Sequence, residues 1–170
     1  MNKFNLYIDI EDKRWSKAIA HLRLKAKACQ NAVLEVVQKE VWFLSEPKDF
    51  EVNVALSNDA KVHELNLRFR GMDKPTNVLS FANADDDFFK TTLEQEDAIE
   101  LGDIILAFET MVLESENLNV SFEEHFCHLL VHGLLHILGY DHIEEEDRVK
   151  MEQREIEILQ KLGFENPYAE

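Results

Sequence analysis

Three histidines and one glycine form the pattern in this sequence with the clearest chemical meaning. The pattern is HxxxHxxGxxH, and its members are His132, His136, Gly139 and His142. His132 and His136 are four residues apart, so on a helix both imidazoles lie on one face, about 6 Å apart, and can reach a single ion. With 7 His and 5 Gly in 170 residues, the pattern is expected by chance only about 3 × 10⁻⁴ times. The segment is therefore a candidate metal site.

The glycine and the third histidine complete this candidate site. Gly139 follows His136 by one turn, where a residue of positive φ can end the helix and bring His142 back as a third ligand. Three protein nitrogens are typical of a catalytic zinc site, because the fourth position stays open for water. Zinc lowers the pKa of such a water to about 7, so hydroxide would be available at neutral pH. The sequence predicts one Zn²⁺ per chain, bound by His132, His136 and His142.

The same spacing occurs in metzincin peptidases, as HExxHxxGxxH, but with one difference. Gly133 stands where those enzymes have the glutamate that acts as general base. A peptidase is therefore disfavoured, and another group must handle the proton. Asp141 is a candidate to orient a ligand, with a helix-capping role as the alternative. His128, one turn before the first ligand, is expected to line the cleft or to orient a ligand.

The other histidines and the cysteines have no place in this pattern. Three histidines are expected at the surface: His21, His63 and His125. Cys127 is expected to be a small buried residue. The alternative for the motif itself is that its three histidines are core residues satisfied by hydrogen bonds, which would have to explain their convergence.

The elements that position the motif are predicted from the periodicity of apolar residues. Strands are predicted at 4–10, 52–56, 77–82 and 101–108. Helices are predicted at 15–41, from Asn58 to about Gly71, from about Glu109, at 121–138 and at 143–162. The acidic stretch 84–100 is predicted to be a long solvated loop with at most one helical turn. Early strands and late helices indicate an α+β fold.

Length and composition limit the class of protein. A chain of 170 residues with 45% apolar and 31% charged residues is typical of one globular domain, predicted over 1–170. No apolar run approaches the roughly 18–20 residues that span a bilayer, and the first residues contain no signal-like segment. Two cysteines cannot form a disulfide framework. We expect a protein of the cytoplasm that does not enter membranes.

The net charge of −16 is unevenly distributed. Residues 1–90 contain 14 basic and 14 acidic side chains, whereas residues 91–170 contain 4 and 20. Residues 13–34 carry six basic side chains and no acid. This basic face of the first predicted helix could bind nucleic acid, or it could be an ordinary solvated surface, and the sequence leaves both interpretations open.

The motif as a whole resembles the signature of the YbeY family, which are bacterial metal-dependent endoribonucleases also described as rRNA maturation factors. The signature is HGLLHILGYDH at 132–142. Two upstream segments are similar to the family's other blocks and stand in the same order: LNLRFRGMDKPTNVLSF at 65–81 and LGDI at 101–104. The resemblance covers most of residues 50–160. It implies a zincin-like single domain, in which a small mixed β-sheet packs with helices and the three motif histidines bind zinc.

The resemblance also implies a function. It is that of a zinc-dependent endoribonuclease that prefers single strands, matures the 3′ end of small-subunit rRNA and takes part in ribosome quality control. The partners would be rRNA, the small ribosomal subunit and its assembly factors. Two alternatives are a metallohydrolase of another substrate class, such as a peptidase, and a non-catalytic ribosome-assembly factor with a structural zinc.

The expected catalytic residues are Arg70 and His132. The resemblance implies a functionally important arginine in the cleft, which corresponds to Arg70. A guanidinium can contact two nonbridging phosphate oxygens at once, where negative charge builds up during cleavage. Without the resemblance, Arg70 would be interpreted as a cation near the negative end of a helix dipole.

Overall fold

The computed structural model describes residues 3–169, which form four β-strands, seven α-helices and two short 3₁₀ helices. In chain order the strands and α-helices are β1 (Phe4–Ile10), α1 (Arg14–Ala18), α2 (Leu22–Val37), β2 (Asp49–Ser57), α3 (Asp59–Arg70), β3 (Val78–Ala82), α4 (Phe89–Gln95), β4 (Ala98–Ala107), α5 (Phe108–Leu118), α6 (Phe122–Ile137) and α7 (Glu145–Lys161). Within residues 3–169, no helix combines the length and the apolar character that are needed to cross a bilayer.

The strands form one mixed sheet in the order β1-β2-β4-β3. β1, β2 and β4 are parallel to one another, whereas β3 is antiparallel to β4 and lies at the edge. The connections between the parallel strands contain helices: α1 and α2 join β1 to β2, whereas α3, β3 and α4 lie between β2 and β4. The predicted α+β fold with a small mixed sheet is confirmed, and it is compatible with the zincin-like label.

Helix α6 lies in the main core, between the sheet and the helices α2 and α7. Its buried stripe recurs every three or four residues, and each member is at most 1% exposed: Phe126, Leu130, Leu134 and Ile137. This stripe fixes the rotation of the helix about its axis. The partly exposed positions 128, 132 and 136 lie on the opposite side.

A smaller core lies under α3, on the other face of the sheet, and contains Val62, Leu79, Ile105 and Ala107. Helix α3 has the predicted bounds. The side chain of Asn58 accepts a hydrogen bond from the backbone N–H of Lys61, and the helix ends at Gly71. Arg70 is the last residue of α3 and therefore lies at the helix end, beside β3.

The prediction of one continuous helix at 15–41 is wrong. His21 adopts a left-handed conformation with φ of +53° and separates α1 from α2, and α2 ends at Val37. A 3₁₀ helix follows at Trp42–Ser45. The apolar spacing did not reveal the break because residues on both sides of it, Ile19 and Leu22, are buried in the same core.

The prediction of a solvated loop at 84–100 is also wrong. This stretch contains the end of a 3₁₀ helix (Asn83–Asp85), all of α4 and the start of β4. Phe89 and Leu93 are one turn apart on α4 and are both buried. The ring of Phe89 packs edge-on against Phe43 at a centroid distance of 5.2 Å. Seven acidic residues obscured this apolar pair in the sequence.

Gly102 occupies a position in β4 that is too crowded for a Cβ atom to fit without a shift of its neighbours. Its φ is +150°, and it pairs with Ala82 of β3. A Cβ atom at this position would overlap the carbonyl oxygen of Phe81 and lie 2.8 Å from Cδ1 of Ile137 on α6. The glycine thus permits the close contact among β4, β3 and α6.

We predict that Gly102→Ala destabilises the protein by about 3 kcal/mol or more, because overlap with a backbone atom adds to the unfavourable φ. The control is Gly163→Ala, which also has a positive φ but has open space around it and should cost about 1–2 kcal/mol. Urea unfolding of both variants measures the difference. Equal losses would contradict the close-contact explanation.

Candidate metal centre

The structure brings the three motif histidines together at the C-terminal end of α6. The helix ends at Ile137, and Gly139, with φ of +105°, reverses the chain as predicted. Nε2 of His136 lies 3.0 Å from Nε2 of His132 and 3.1 Å from Nδ1 of His142. One ligand atom from each residue lies within 4.8 Å of the other two.

Hydrogen bonds on the far side of two rings determine which nitrogens face the centre. Nδ1–H of His132 donates to Oε1 of Glu155 at 2.6 Å, and Nδ1–H of His136 donates to the carbonyl oxygen of Tyr140 at 2.9 Å. A carboxylate and a carbonyl can only accept, so both protons lie on Nδ1. The Nε2 lone pairs of His132 and His136 therefore point to one common region.

The ring nitrogens that face the centre suit a metal ion. Burial, together with the neighbouring His132 and His142, lowers the pKa of His136 to about 4, so its imidazole is neutral near pH 7. Two nitrogens bound to one zinc ion in tetrahedral geometry are about 3.3 Å apart, close to the separations of 3.0 and 3.1 Å found here. The three histidines can therefore hold one metal ion after small shifts.

Glu155 is the residue of this centre that sequence reasoning missed. It lies on α7 and is fully buried. Burial alone would raise its pKa, but the neighbouring His128 and the hydrogen bond from His132 outweigh this effect and lower the pKa below its ordinary value. Glu155 is therefore a carboxylate that fixes the ring of His132. The signal was present, because Glu155 interrupts the apolar stripe of α7 formed by Met151, Ile158 and Leu159.

His128 lies behind the first motif histidine and not in the wall of the cleft. Its Nε2 lies 3.6 Å from Oε1 of Glu155, the same oxygen that accepts from His132. His128 thus contacts the carboxylate behind the first motif histidine and is not among the residues that line the cleft.

A second network fixes the loop that follows α6. The hydroxyl of Tyr140 donates to Oε1 of Glu40 at 2.5 Å, and Arg154 of α7 donates to both carboxylate oxygens of Glu40 at 2.9 and 2.7 Å. These bonds hold Tyr140, whose carbonyl orients His136. Glu40 is 100 residues away in the chain, so no local pattern could indicate this role.

Arg70 lines the same cleft as the three histidines, as predicted. The cleft has a volume of about 950 Å³ and includes Arg70, His132, His136 and His142 in its wall. Nη2 of Arg70 donates to the carbonyl oxygen of Ser80 on β3 at 2.9 Å, and the guanidinium carbon lies 5.2 Å from the ring centroid of Phe81. The edge strand thus holds the guanidinium at the cleft.

Comparison with known proteins identifies the family. The profile described as Endoribonuclease YbeY matches residues 10–163. The chain belongs to the YbeY endoribonuclease family. The predicted resemblance is therefore confirmed, and with it the expected class of enzyme.

Individual relatives of the YbeY family match over most of the chain. The Endoribonuclease YbeY of Sphingopyxis alaskensis is 48% identical over 121 residues, which cover 71% of this chain and 72% of that protein. The Endoribonuclease YbeY of Sinorhizobium fredii is 36% identical over 171 residues, covering 100% and 95%. The solution structure of a Thermotoga maritima protein superimposes with a TM-score of 0.53 and 25% identity, covering 97% of this chain and 99% of that chain.

The structure gives a physical reason for the glycine that distinguishes the motif from that of the metzincins. Gly133 is buried, and a Cβ atom there would lie 3.0 Å from Cγ2 of Ile104 on β4. Position 133 thus faces the sheet, where a glutamate side chain has no room. Asp141 caps neither α6 nor α7: its Oδ1 accepts from the backbone N–H groups of His142 and Ile143, so it stabilises the turn between the two helices that contains His142.

The remaining histidines and Cys127 are partly as predicted. His21 is exposed, and His63 pairs with Asp73 at the surface. Cys127 is buried, as expected. The surface prediction for His125 is wrong, because its side chain is 5% exposed and contacts Oε1 of Glu114 at 2.8 Å. A carboxylate on α5 satisfies the ring, which allows its burial.

Most of the basic face at 13–34 interacts with the protein itself. Arg14 pairs with Asp12 and Glu109, and Lys25 pairs with Glu123. Two further cations bond to carbonyl oxygens of the edge strand β1: Arg23 to Ile8 and Lys27 to Phe4. These contacts favour the structural interpretation of the face, since covering edge carbonyls also discourages pairing with another strand.

We predict that Glu155→Gln weakens zinc binding about 10- to 100-fold, because a neutral amide holds and polarises the His132 ring less well than a carboxylate. Zinc titration of the metal-stripped protein against a competing chelator measures the affinity. The matched control is Glu157→Gln on the same helix, where the carboxylate is partly exposed and pairs with Arg154. A similar loss in both variants would contradict the specific role of Glu155.

Proposed function

We propose that this protein is a zinc-dependent endoribonuclease that cleaves single-stranded regions of ribosomal RNA. One observation carries this proposal: three imidazole nitrogens converge in a cleft that also contains Arg70. The family supports RNA as the substrate class, since its curated relatives are named endoribonucleases. Three imidazole ligands favour zinc among the abundant divalent cations, because magnesium and calcium prefer oxygen ligands.

Each residue of the proposed site has a distinct role. His132, His136 and His142 would hold the metal. Bound zinc would supply Lewis-acid chemistry, by polarising a phosphoryl oxygen or acidifying a water. His132 is proposed as a catalytic residue as well as a ligand, because its Nε2 would contact the reactive metal while Glu155 holds its Nδ1–H.

Arg70 would stabilise the charge that develops on the phosphate during cleavage. A guanidinium has five N–H donors, and one N–H of Arg70 bonds to Ser80. The others can donate to nonbridging oxygens, with two parallel bonds to one phosphate. Because β3 already holds the guanidinium, little reorganisation is needed when the substrate binds.

The edge strand supports RNA over a peptide as substrate. An extended peptide binds a sheet edge by pairing with its free backbone groups. In β3 the carbonyl of Ser80 already accepts from Arg70. Position 133 has no room for the glutamate base of a metzincin, which disfavours a peptidase further. The open fourth position of a three-histidine site likewise disfavours a purely structural zinc.

We propose maturation of the 3′ end of small-subunit rRNA and ribosome quality control as the process, with the small ribosomal subunit and its assembly factors as partners. The cytoplasm is the proposed compartment. The two cysteines, Cys29 and Cys127, are both free and buried, which agrees with a reducing environment. We propose that residues 1–170 act as one domain.

One assay distinguishes the endoribonuclease from a peptidase and from a non-catalytic assembly factor. The zinc-loaded protein is incubated with RNA that contains single-stranded and paired regions and, separately, with an unfolded protein, each with and without chelator. Chelator-sensitive cleavage of the RNA alone is the expected result. Cleavage of the polypeptide would favour the peptidase, and RNA binding without turnover would favour the assembly factor.

We predict that His136→Ala loses metal and RNA cleavage together, because the central ligand of the three is removed. Metal content by mass spectrometry and cleavage of a labelled single-stranded RNA are measured on the same preparation. The control is His63→Ala, which removes a surface histidine remote in sequence from the motif. Normal cleavage by metal-free His136→Ala would refute the proposed mechanism.

We predict that Arg70→Ala keeps its metal but lowers the cleavage rate about 10²- to 10³-fold, as for the loss of one donor to a developing charge. The control is Arg68→Ala on the same helix, whose guanidinium lies over the ring of Phe69 and should have little effect. Single-turnover cleavage with matched metal content gives the comparison. Unchanged turnover in Arg70→Ala would remove its proposed role.

A further inference from the structure

The carboxylate of Glu155 has two oxygens with different partners. Oε1 accepts from Nδ1–H of His132 at 2.6 Å and lies 3.6 Å from Nε2 of His128. Oε2 accepts from the hydroxyl of Tyr168 at 2.5 Å. A buried carboxylate needs donors for both oxygens, because an unsatisfied charged group is costly away from water. The orientation of Glu155 therefore depends on Tyr168 as well as on the histidines.

Tyr168 comes from the segment 163–169, which follows α7 and folds back to the rear of the metal centre. Its backbone N–H donates to Oδ1 of Asn166 at 2.8 Å. Its ring packs edge-on against His128 at a centroid distance of 5.7 Å and an interplanar angle of 89°. Although 42% of the residue is exposed, its hydroxyl reaches the fully buried Glu155. A turn, a ring contact and a short hydrogen bond thus fix this tyrosine.

We propose that Tyr168 is a positioning residue for the metal centre. Its hydroxyl holds Oε2 of Glu155, so that Oε1 fixes the Nδ1–H of His132 and directs Nε2 of His132 to the metal. This inference rests on the proposed metal site and extends it to the segment after α7. Tyr168 does not line the cleft, so its effect reaches the site only through Glu155 and His128.

Removal of the hydroxyl has a defined physical consequence. Oε2 of Glu155 would lose its donor, and the carboxylate would rotate towards another donor or draw in water. Either change loosens the bond to His132 and thus the direction of its lone pair. Removal of such an outer hydrogen-bond partner typically reduces metal affinity about 10- to 100-fold. A loss of about 10-fold is expected here, because Tyr168 acts two hydrogen bonds away from the metal.

The test is metal binding by Tyr168→Phe in the full chain. Zinc affinity is measured by chelator competition, and the visible absorption of the Co²⁺-loaded protein reports the ligand geometry directly. We expect zinc affinity to fall about 10-fold, with a changed Co²⁺ spectrum and an unchanged KM for RNA. The matched control is Tyr7→Phe, an exposed tyrosine on β1, which should leave affinity and spectrum unchanged.

A double-mutant cycle shows whether Tyr168 acts through Glu155. In the Glu155→Gln background, adding Tyr168→Phe should cause less further loss of zinc affinity than it does alone, because the carboxylate it holds is already gone. A merely structural contribution of Tyr168 would instead lower affinity by the same factor in both backgrounds. Additive losses would therefore overturn the inference.

Failure of the inference about Tyr168 and failure of the proposed zinc enzyme give different results. If the wild-type protein binds zinc and Tyr168→Phe has the same affinity and Co²⁺ spectrum, the inference is wrong and the proposed function stands. If the wild-type protein binds no zinc, the proposed zinc enzyme fails and the inference fails with it. Urea unfolding of Tyr168→Phe without metal shows whether the variant is folded, and a cooperative transition is expected with a midpoint below that of the wild type, because Oε2 of Glu155 loses its donor.

Discussion

Nε2 of His136 lies 3.0 and 3.1 Å from ring nitrogens of His132 and His142, and lone pairs that face each other at such distances repel unless a proton or a metal cation lies between them. The protein must therefore hold the rings from behind. The two helix histidines donate their Nδ1–H groups to acceptors that cannot give a proton back, the carboxylate of Glu155 and the carbonyl of Tyr140. Each lone pair then points inwards. Much of the surrounding structure serves to keep these two acceptors in place.

The fold places the acceptors by packing α6 tightly. Gly133 brings α6 against Ile104 of β4, and Gly102 lets β4 approach both β3 and Ile137 of α6. On the other side, α7 buries Glu155 behind His132. The helix thus has no freedom to rotate, and its partly exposed face is directed into the cleft. Closely packed interiors transmit such constraints because small shifts are already costly.

The edge strand β3 links the metal centre to the second functional group of the cleft. It is the only antiparallel strand of the sheet formed by residues 3–169. One face of the cleft wall comes from β3, and its Ser80 carbonyl holds Arg70, which arrives from the end of α3. A cation and a candidate metal site thus face the same space, an arrangement suited to a phosphodiester, whose charge develops on several oxygens.

The sequence by itself determined the features that depend on neighbours in the chain. The spacing of His132, His136 and His142 follows from helix geometry and a glycine turn, and the alternation in β1 gave its bounds correctly. The tertiary structure alone decided what holds those histidines in place, because Glu155 lies 23 residues from His132, and Glu40, which holds Tyr140 behind His136, lies 100 residues from Tyr140. A charged residue that interrupts an apolar stripe, as Glu155 does, indicates burial, but the distant residue that it contacts leaves no periodic trace in a sequence, whereas helices and strands do.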